Sequence, residues 1–446
     1  MRDLDDRLPL PQGNVDDASH LNATPMKVVV LESNWTQAVG QLRSLLKQAK
    51  AQGTTLTPAG SRHTMGGQTL QAQGIALDMT PFKQMQLDRD RRTLTVQSGA
   101  TWADVIPFLN DQGFSVAVMQ SNNDFSIGGT LSANAHGWQH NYSPFASTVE
   151  SLRLMLADGR IIQCSRQVNQ ELFSLVLGGY GLFGIVLDVD LAVVPNELYR
   201  AEQEIMSSAD YAERYRQRVP GFSSTGQSGL GPKPGSALGH AVDDTSSREA
   251  SLAETPAPEL NRDPASVGLA YGRLSITPDH FLQEAILTTY HRLPLESPAA
   301  NLPSSSPSHS PATPTTHSPT TSPIHPEPYS LDETYPLGLA RVVFRGSIGS
   351  DYGKNLRWQL EKLQGEAVGD LQSRNQILNR SSSFLRIGDR RTLRFCMNTL
   401  SRPTTSKPSS NNVGESCLVM TSSYSTLPCA MSILTPIVFC AIAIAK

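Results

Sequence analysis

Nine consecutive residues, Gly60-Ser61-Arg62-His63-Thr64-Met65-Gly66-Gly67-Gln68, constrain this chain more than any other stretch. They hold three glycines and follow a short β-like run at 54–58. Glycine admits left-handed backbone angles and lets a chain come close to a ligand. Successive turn residues with inward amides make a concave anion site suited to a pyrophosphate. Arg62 adds a charged donor that can pair with phosphate oxygens. An ordinary glycine-rich turn has the same composition, so the loop takes its meaning from what surrounds it.

Before the loop, 28–32 reads as a strand and 35–52 as a helix. Ala38, Val39, Leu42, Leu45, Leu46 and Ala49 fall at helical spacing, with Asn34 as cap and Gly53 as stop. The opening is therefore β-α-β, with the glycine loop after the second strand. Strands are expected at 74–79, 93–98 and 114–119, and a helix at 101–112 between Thr101 and Gly113. The run Ser126-Ile127-Gly128-Gly129-Thr130-Leu131-Ser132-Ala133-Asn134-Ala135-His136-Gly137 is dominated by small residues, as expected where backbone lies flat against a ligand. Strands at 151–156 and 160–164 flank Ala157-Asp158-Gly159, a hairpin signal. A short helix at 169–177 leads into Gly178-Gly179-Tyr180-Gly181-Leu182-Phe183-Gly184 and a strand at 185–194 stopped by Pro195.

Four landmarks thus occur in order: the 60–68 loop, Ser98-Gly99-Ala100-Thr101-Trp102, the 126–137 run, and 178–185. Together they resemble the flavin-binding domain of the vanillyl-alcohol-oxidase type of FAD-linked oxidases. That group includes sugar-lactone oxidases, cytokinin dehydrogenases and decaprenylphosphoryl-ribose oxidases. The resemblance implies an α+β chain: an extension at 1–22, then a two-subdomain PCMH-type FAD-binding fold at 23–197. It implies FAD, with the pyrophosphate on Gly60, Ser61, Arg62, His63, Thr64, Gly67 and Gln68. Ser126, Gly128, Gly129, Ser132, His136 and Gly137 would line the cofactor, and Gly181, Gly184 and Ile185 its adenosine end. His63 matches the position where many members attach a histidine covalently to the flavin. Here Arg62 and Thr64 replace the usual Gly and Ser, so a covalent link and a hydrogen-bonding histidine both stay open. His136 matches a position near the flavin ring and is the candidate catalytic residue, because imidazole titrates near neutral pH. A satisfied interior histidine is the other reading. Trp138 and Gln139 stand where the decaprenylphosphoryl-ribose oxidases carry Lys and Asn.

The implied reaction takes a hydride from a CH–OH group of a sugar, sugar-lactone or related alcohol onto flavin N5. Oxygen or another acceptor would then reoxidise the flavin. Two other readings compete: a flavin-binding remnant without turnover, and a membrane-tethered flavoprotein.

Beyond Asn196 the resemblance implies a substrate domain, α+β and incomplete, over 198–379. Gly, Ser, Pro and Ala fill 221–264 without a period, so it reads as a flexible insertion. A second disordered insertion is expected at 294–330, where ten prolines occur between Pro294 and Pro328. Between and after them, strands are expected at 267–275 and 339–346, and helices at 279–291 and 352–365. Arg341 and Arg345, on the second of those strands, could meet an anionic substrate or simply face solvent.

The tail at 380–446 departs from the pattern. Residues 427–445 are almost wholly apolar and approach the roughly 20 residues that span a bilayer. A membrane anchor is the literal reading. Yet feasible codons for 395–412 and 423–446, read in one neighbouring frame, encode substrate-domain-like sequence, which points to a frameshifted tail. Four of the five cysteines also crowd there, leaving Cys164 alone, as a small core residue. No cysteine has metal-ligand spacing, no metal site is expected, and a reduced, cytoplasmic compartment is the expectation, or membrane association if the tail is genuine. Residues 1–17 are Asp-rich and lack the apolar core of a secretory signal. A net charge of −3 without a basic run argues against a nucleic-acid partner. The expected partners are a small-molecule alcohol or sugar and an electron acceptor.

Overall fold

The structure, a computed structural model, describes residues 13–219, 267–293, 329–332, 337–348, 350–364 and 371–382. The expected insertion at 221–264, all of that at 294–330 except 329–330, and the tail from 383 with its apolar 427–445 stretch lie outside the described residues.

The described chain begins with a small antiparallel hairpin of β1 (Asn14–Val15) and β2 (Thr24–Pro25). Then β3 (Lys27–Val30), β4 (Leu56–Ala59) and β5 (Ile75–Asp78) form a parallel sheet in the order β3-β5-β4. Helix α1 (Trp35–Gln52) makes the crossover from β3 to β4. The Asn34 side chain caps it by accepting from the backbone of Thr36 and Gln37, and Gly53 ends it at φ +62°. Its face of Ala38, Val39, Leu42, Leu45 and Ala49 is buried, and all but Ala49 share a core with Leu77 of β5 and Phe82.

The second sheet contains β6 (Met85–Asp88), β7 (Thr93–Gln97), β8 (Phe114–Val116), β9 (Val149–Met155), β10 (Ile161–Ser165) and β11 (Ile185–Pro195). It is antiparallel, in the order β10-β9-β11-β7-β6, with β8 paired to the far end of β11. Helices α2 (Trp102–Asn110), α3 (Ile127–Ala133) and α4 (Gln170–Val176) contribute to the largest core, shared with this sheet. Thr101 and Asp104 form a reciprocal capping box at the start of α2, which fixes where the chain turns off β7.

The third sheet is β13-β14-β12-β15, from β12 (Leu198–Ser207), β13 (Val267–Leu274), β14 (Glu284–Arg292) and β15 (Leu371–Ser373). With it go α5 (Tyr211–Arg218), α6 (Leu337–Ser347), α7 (Asp351–Gln364) and α8 (Arg374–Leu378). The described chain is therefore mixed α and β with several sheets, as expected.

Three local readings are corrected. Residues 279–291, expected as a helix, hold the strand β14, because both of its faces are covered and six consecutive residues are buried. Residues 339–346, expected as a strand, lie in α6, which packs on α7; Val342 stays 68% exposed, so its branched side chain joins no core. The 126–137 run is not flat backbone throughout: Ser126 caps α3, and the chain leaves the helix only after Ala133. Seven of these elements had no sequence forecast: β1, β2, β6, β12, α5, β15 and α8.

Candidate cofactor site

The four landmarks converge on α3. Gly60 abuts its cap, where an added Cβ would lie 2.0 Å from the Ser126 Oγ. The Gly128 amide donates to the Ser98 carbonyl and the Ile127 amide to the Ala100 carbonyl, each at 2.8 Å. From the other side, the Gly178 amide donates to Leu131 and the Tyr180 amide to Ser132, both at 3.0 Å. The Ser98 hydroxyl donates to the Val186 carbonyl at 2.6 Å, which ties the second landmark to β11 just beyond Ile185. Segments from distant parts of the sequence are thus locked around one short helix. Gly184 sits at φ +149°, with the Met155 carbonyl 2.7 Å from where a Cβ would be, so the turn into β11 admits only glycine.

The glycine loop leaves β4 beside this helix. Arg62 is held at φ +53° and Gly67 at φ +70°, left-handed angles that curl the loop. The Ser61 hydroxyl and the Arg62 Nε and Nη2 are buried and have no hydrogen-bond partner among the described residues. A buried guanidinium without an acceptor is costly unless an anion completes it. The His63 ring stacks on Phe125 at 4.3 Å, next to the cap of α3. The Thr64 hydroxyl and Gly67 amide face Asp17, and the Gln68 side chain accepts from the Gly66 amide.

Beyond α3, His136 is exposed, and the partial desolvation of its imidazole lowers its pKa, which favours the neutral form. An added Cβ on Gly137 would lie 1.9 Å from the Met119 carbonyl. Trp138, Gln139 and His140 come next, and the Trp138 Nε1, both Gln139 amide atoms and His140 Nδ1 are buried without described partners. Burial pushes His140 down to about 4. The Trp138 carbonyl accepts from Ala270 of β13 at 2.8 Å, which joins this run to the third sheet. There the Trp138 ring stacks on Tyr271 at 4.6 Å, and the Arg380 guanidinium lies 4.8 Å from its centre. Burial alone would raise the Tyr271 phenol; the Arg273 and Arg380 guanidiniums outweigh it and leave the phenol more acidic than usual.

Sequence reasoning singled out the glycine loop, α3 and His136 but missed Asp17, Asn22, Tyr271 and Arg380. Only Asp17 and Asn22 carried a local signal, as turn-forming residues within a short stretch that also holds Ser19. Arg341 lies where α6 replaces the expected strand. Among the described residues no cluster of three His, Cys, Asp or Glu could hold a metal ion, and no helix is long and apolar enough to cross a membrane.

A loop of unpaired cationic and hydroxyl donors on a β-α-β unit, backed by a small-residue helix, defines a domain that binds an anionic cofactor. Residues 35–165 match the family described as FAD binding domain, so the chain carries a domain of that family and its cofactor is FAD. The chain is 32% identical over 144 residues to the FAD-linked oxidoreductase srdI of Neurospora crassa, covering 32% of this chain and 29% of that protein. It is 34% identical over 128 residues to cytokinin dehydrogenase 2 of Arabidopsis thaliana, covering 28% and 26%. To the L-gulonolactone oxidase of Mus musculus it is 26% identical over 159 residues, covering 35% and 36%. The matched segments span between 26% and 41% of these and the further relatives' own lengths.

Proposed function

We propose that this protein is an FAD-dependent oxidoreductase acting on a CH–OH group of a sugar, sugar-lactone or related alcohol. The observation that carries the reading is the buried, unpaired Ser61 and Arg62 donor set inside the matched domain, which fits a pyrophosphate. FAD, when bound, supplies the hydride acceptor for the oxidised carbon and returns the electrons to oxygen or another acceptor.

The chain's own residues divide the remaining work. The 60–68 loop holds the pyrophosphate through Ser61, Arg62 and its amides, with His63 stacked on Phe125 beside it. Gly60, Ser126, Gly128, Gly129, Ser132 and Gly137 form the close-packed wall along the cofactor, and Gly181, Gly184 and Ile185 border its adenosine end. The β3-β5-β4 and β6–β11 sheets serve as the two subdomains of the FAD-binding fold, and the β12–β15 sheet roofs the substrate side. His136, neutral at neutral pH, takes the substrate's hydroxyl proton as the hydride leaves carbon. That role requires the unprotonated ring, so turnover falls as pH drops through the depressed His136 pKa.

An absorption spectrum of the purified chain before and after acid precipitation tests the cofactor, and anaerobic bleaching by a panel of sugar lactones and alditols tests the reaction. Yellow colour that stays in the acid pellet assigns covalent attachment to His63; colour released to the supernatant makes His63 a loop residue only. Flavin that no lactone, sugar or alditol bleaches would overturn the activity.

A further inference from the structure

Asp17 is 3% exposed and lies in the loop between β1 and β2, against the glycine loop. Its carboxylate accepts from the Ser19 amide at 3.1 Å and hydroxyl at 2.5 Å, and from the Asn22 Nδ2 at 3.1 Å. Across the gap it accepts from the Thr64 hydroxyl at 3.3 Å and the Gly67 amide at 2.7 Å. Neutral dipoles from both loops therefore cage one buried charge. The Asn22 Nδ2 also reaches the Met65 carbonyl at 3.4 Å.

The next residue acts on the backbone. The Ala18 amide donates to the carbonyls of Arg62 at 3.0 Å and Thr64 at 3.1 Å. In a planar trans peptide the carbonyl and the following N–H point in opposite directions. Drawing those two carbonyls to Ala18 therefore turns the N–H groups of His63 and Met65 away from it, to a common side. Arg62, at φ +53°, curls the loop just ahead of the first of these amides.

The hairpin has anchorage of its own. Asp16 Oδ1 closes the turn by accepting the Asp17 and Asn22 amides at 2.9 and 3.0 Å. Val15 and Met26 are buried with Ala76 of β5.

We propose that the 16–22 turn is a built-in clamp that presets the glycine loop for the FAD pyrophosphate, with Asp17 and Ala18 as positioning residues. The proposal rests on the FAD reading of that loop and adds a division of labour within it. Thr64 and Gly67 serve the clamp, while Ser61, Arg62 and the turned amides serve the ligand. A loop ordered during folding leaves less ordering to be done on binding, which tightens the complex.

The test is titration of the full-length apoprotein with FAD, followed by flavin fluorescence, with ADP as competitor. Asp17→Ala is expected to weaken FAD and ADP alike by about tenfold or more, the scale of one charge-assisted contact. Asn22→Ala, which leaves the Thr64 and Gly67 bonds to Asp17, should weaken both by less. The visible spectrum of either variant saturated with FAD should equal that of the wild type, because the clamp touches only the pyrophosphate loop. Unchanged FAD and ADP affinities in Asn22→Ala and in any folded Asp17→Ala, with only a lower melting temperature, would overturn the clamp. So would an altered flavin spectrum at saturation. A wild-type chain that binds neither FAD nor ADP would overturn the cofactor site itself, and the clamp with it.

Discussion

Arg62 shows how far a single residue could be read in advance. Its position in a glycine loop after a strand announced an anion, but its left-handed φ of +53° and its unpaired Nε and Nη2 needed the three-dimensional structure. Replacing it with Met should raise the FAD Kd about 10- to 100-fold, since a hydrogen bond to a charged group contributes roughly 1.5–3 kcal/mol. The apoprotein should melt no lower, because the substitution removes two buried guanidinium nitrogens that lack partners. Calorimetry with and without FAD checks both halves. His140 gives a second residue-scale expectation, on stability. Its pKa is about 4 in the fold against 6.5 unfolded, so the unfolded state binds a proton first as pH falls. Stability therefore drops between pH 6.5 and 4, by up to about 3 kcal/mol, and levels off with respect to this group below that. His140→Gln should flatten that part of the curve in urea melts. Nothing in the sequence near position 140 marked this histidine, because no motif surrounds it and its burial leaves no local pattern.

At the scale of elements, legibility tracked how local the cause was. The ends of α1 were readable because Asn34 and Gly53 act within a few residues, and the capping pair at Thr101 works the same way. β14 was misread because a strand covered on both faces loses the alternation that identifies strands, and its buried run, which includes Thr288 and Thr289, carries no period of two. α6 failed for the opposite reason: Val342 and Val343 favour strands by propensity, and packing on α7 overrode them. Gly346 and Gly353 meet there so closely that a Cβ on Gly353 would lie 1.9 Å from the Gly346 carbonyl. The turn between α3 and the third sheet carries the element-scale prediction. Gly137→Ala would push a methyl into the Met119 carbonyl, 1.9 Å away, with the Gln139 Oε1 at 2.8 Å. A backbone atom cannot yield as a side chain can, so the expected loss is at least about 1–3 kcal/mol. The bond from Ala270 to the Trp138 carbonyl should be disturbed with it. Urea unfolding measures the first effect. A change in tryptophan fluorescence, through the Trp138–Tyr271 stack, reports the second.

Across the whole molecule, the described parts are pinned together by a segment late in the chain. Arg374, 4% exposed, donates to the carbonyls of Val116 and Ala117 at 3.1 and 2.7 Å and to the Tyr199 hydroxyl at 3.3 Å. Asn375 joins Asn110, Phe114 and Asn196 at 2.8–3.1 Å, and Arg380 donates to Tyr290 at 3.1 Å. Asp124 accepts from Ser381 and Ser382, so these contacts run to the last described position. Sequence reading could not find this joint, because its partners lie far upstream and leave no period or motif. A chain ending at residue 370 would lose the donors that Arg374 and Asn375 bring to the carbonyls of Phe114, Val116 and Ala117, together with the buried Ile377 and Leu378. At roughly 1–3 kcal/mol each, that consumes much of a domain's stability of about 5–15 kcal/mol, so the shortened chain should not fold. A chain ending at residue 382 keeps every contact named here. If the tail expected at 380–446 is the product of a displaced reading frame, the chain ending at 382, which lacks all but its first three residues, should match the full one in melting temperature and FAD affinity. The two shortened chains differ only by residues 371–382, so a difference between them isolates the joint. Weaker FAD binding or a lower melting temperature in the 1–382 chain would mean that the tail belongs to the fold, and the displaced-frame reading would fall. Sequencing the source DNA through codon 380 then decides between an error in the reading frame and a tail that is expressed but dispensable.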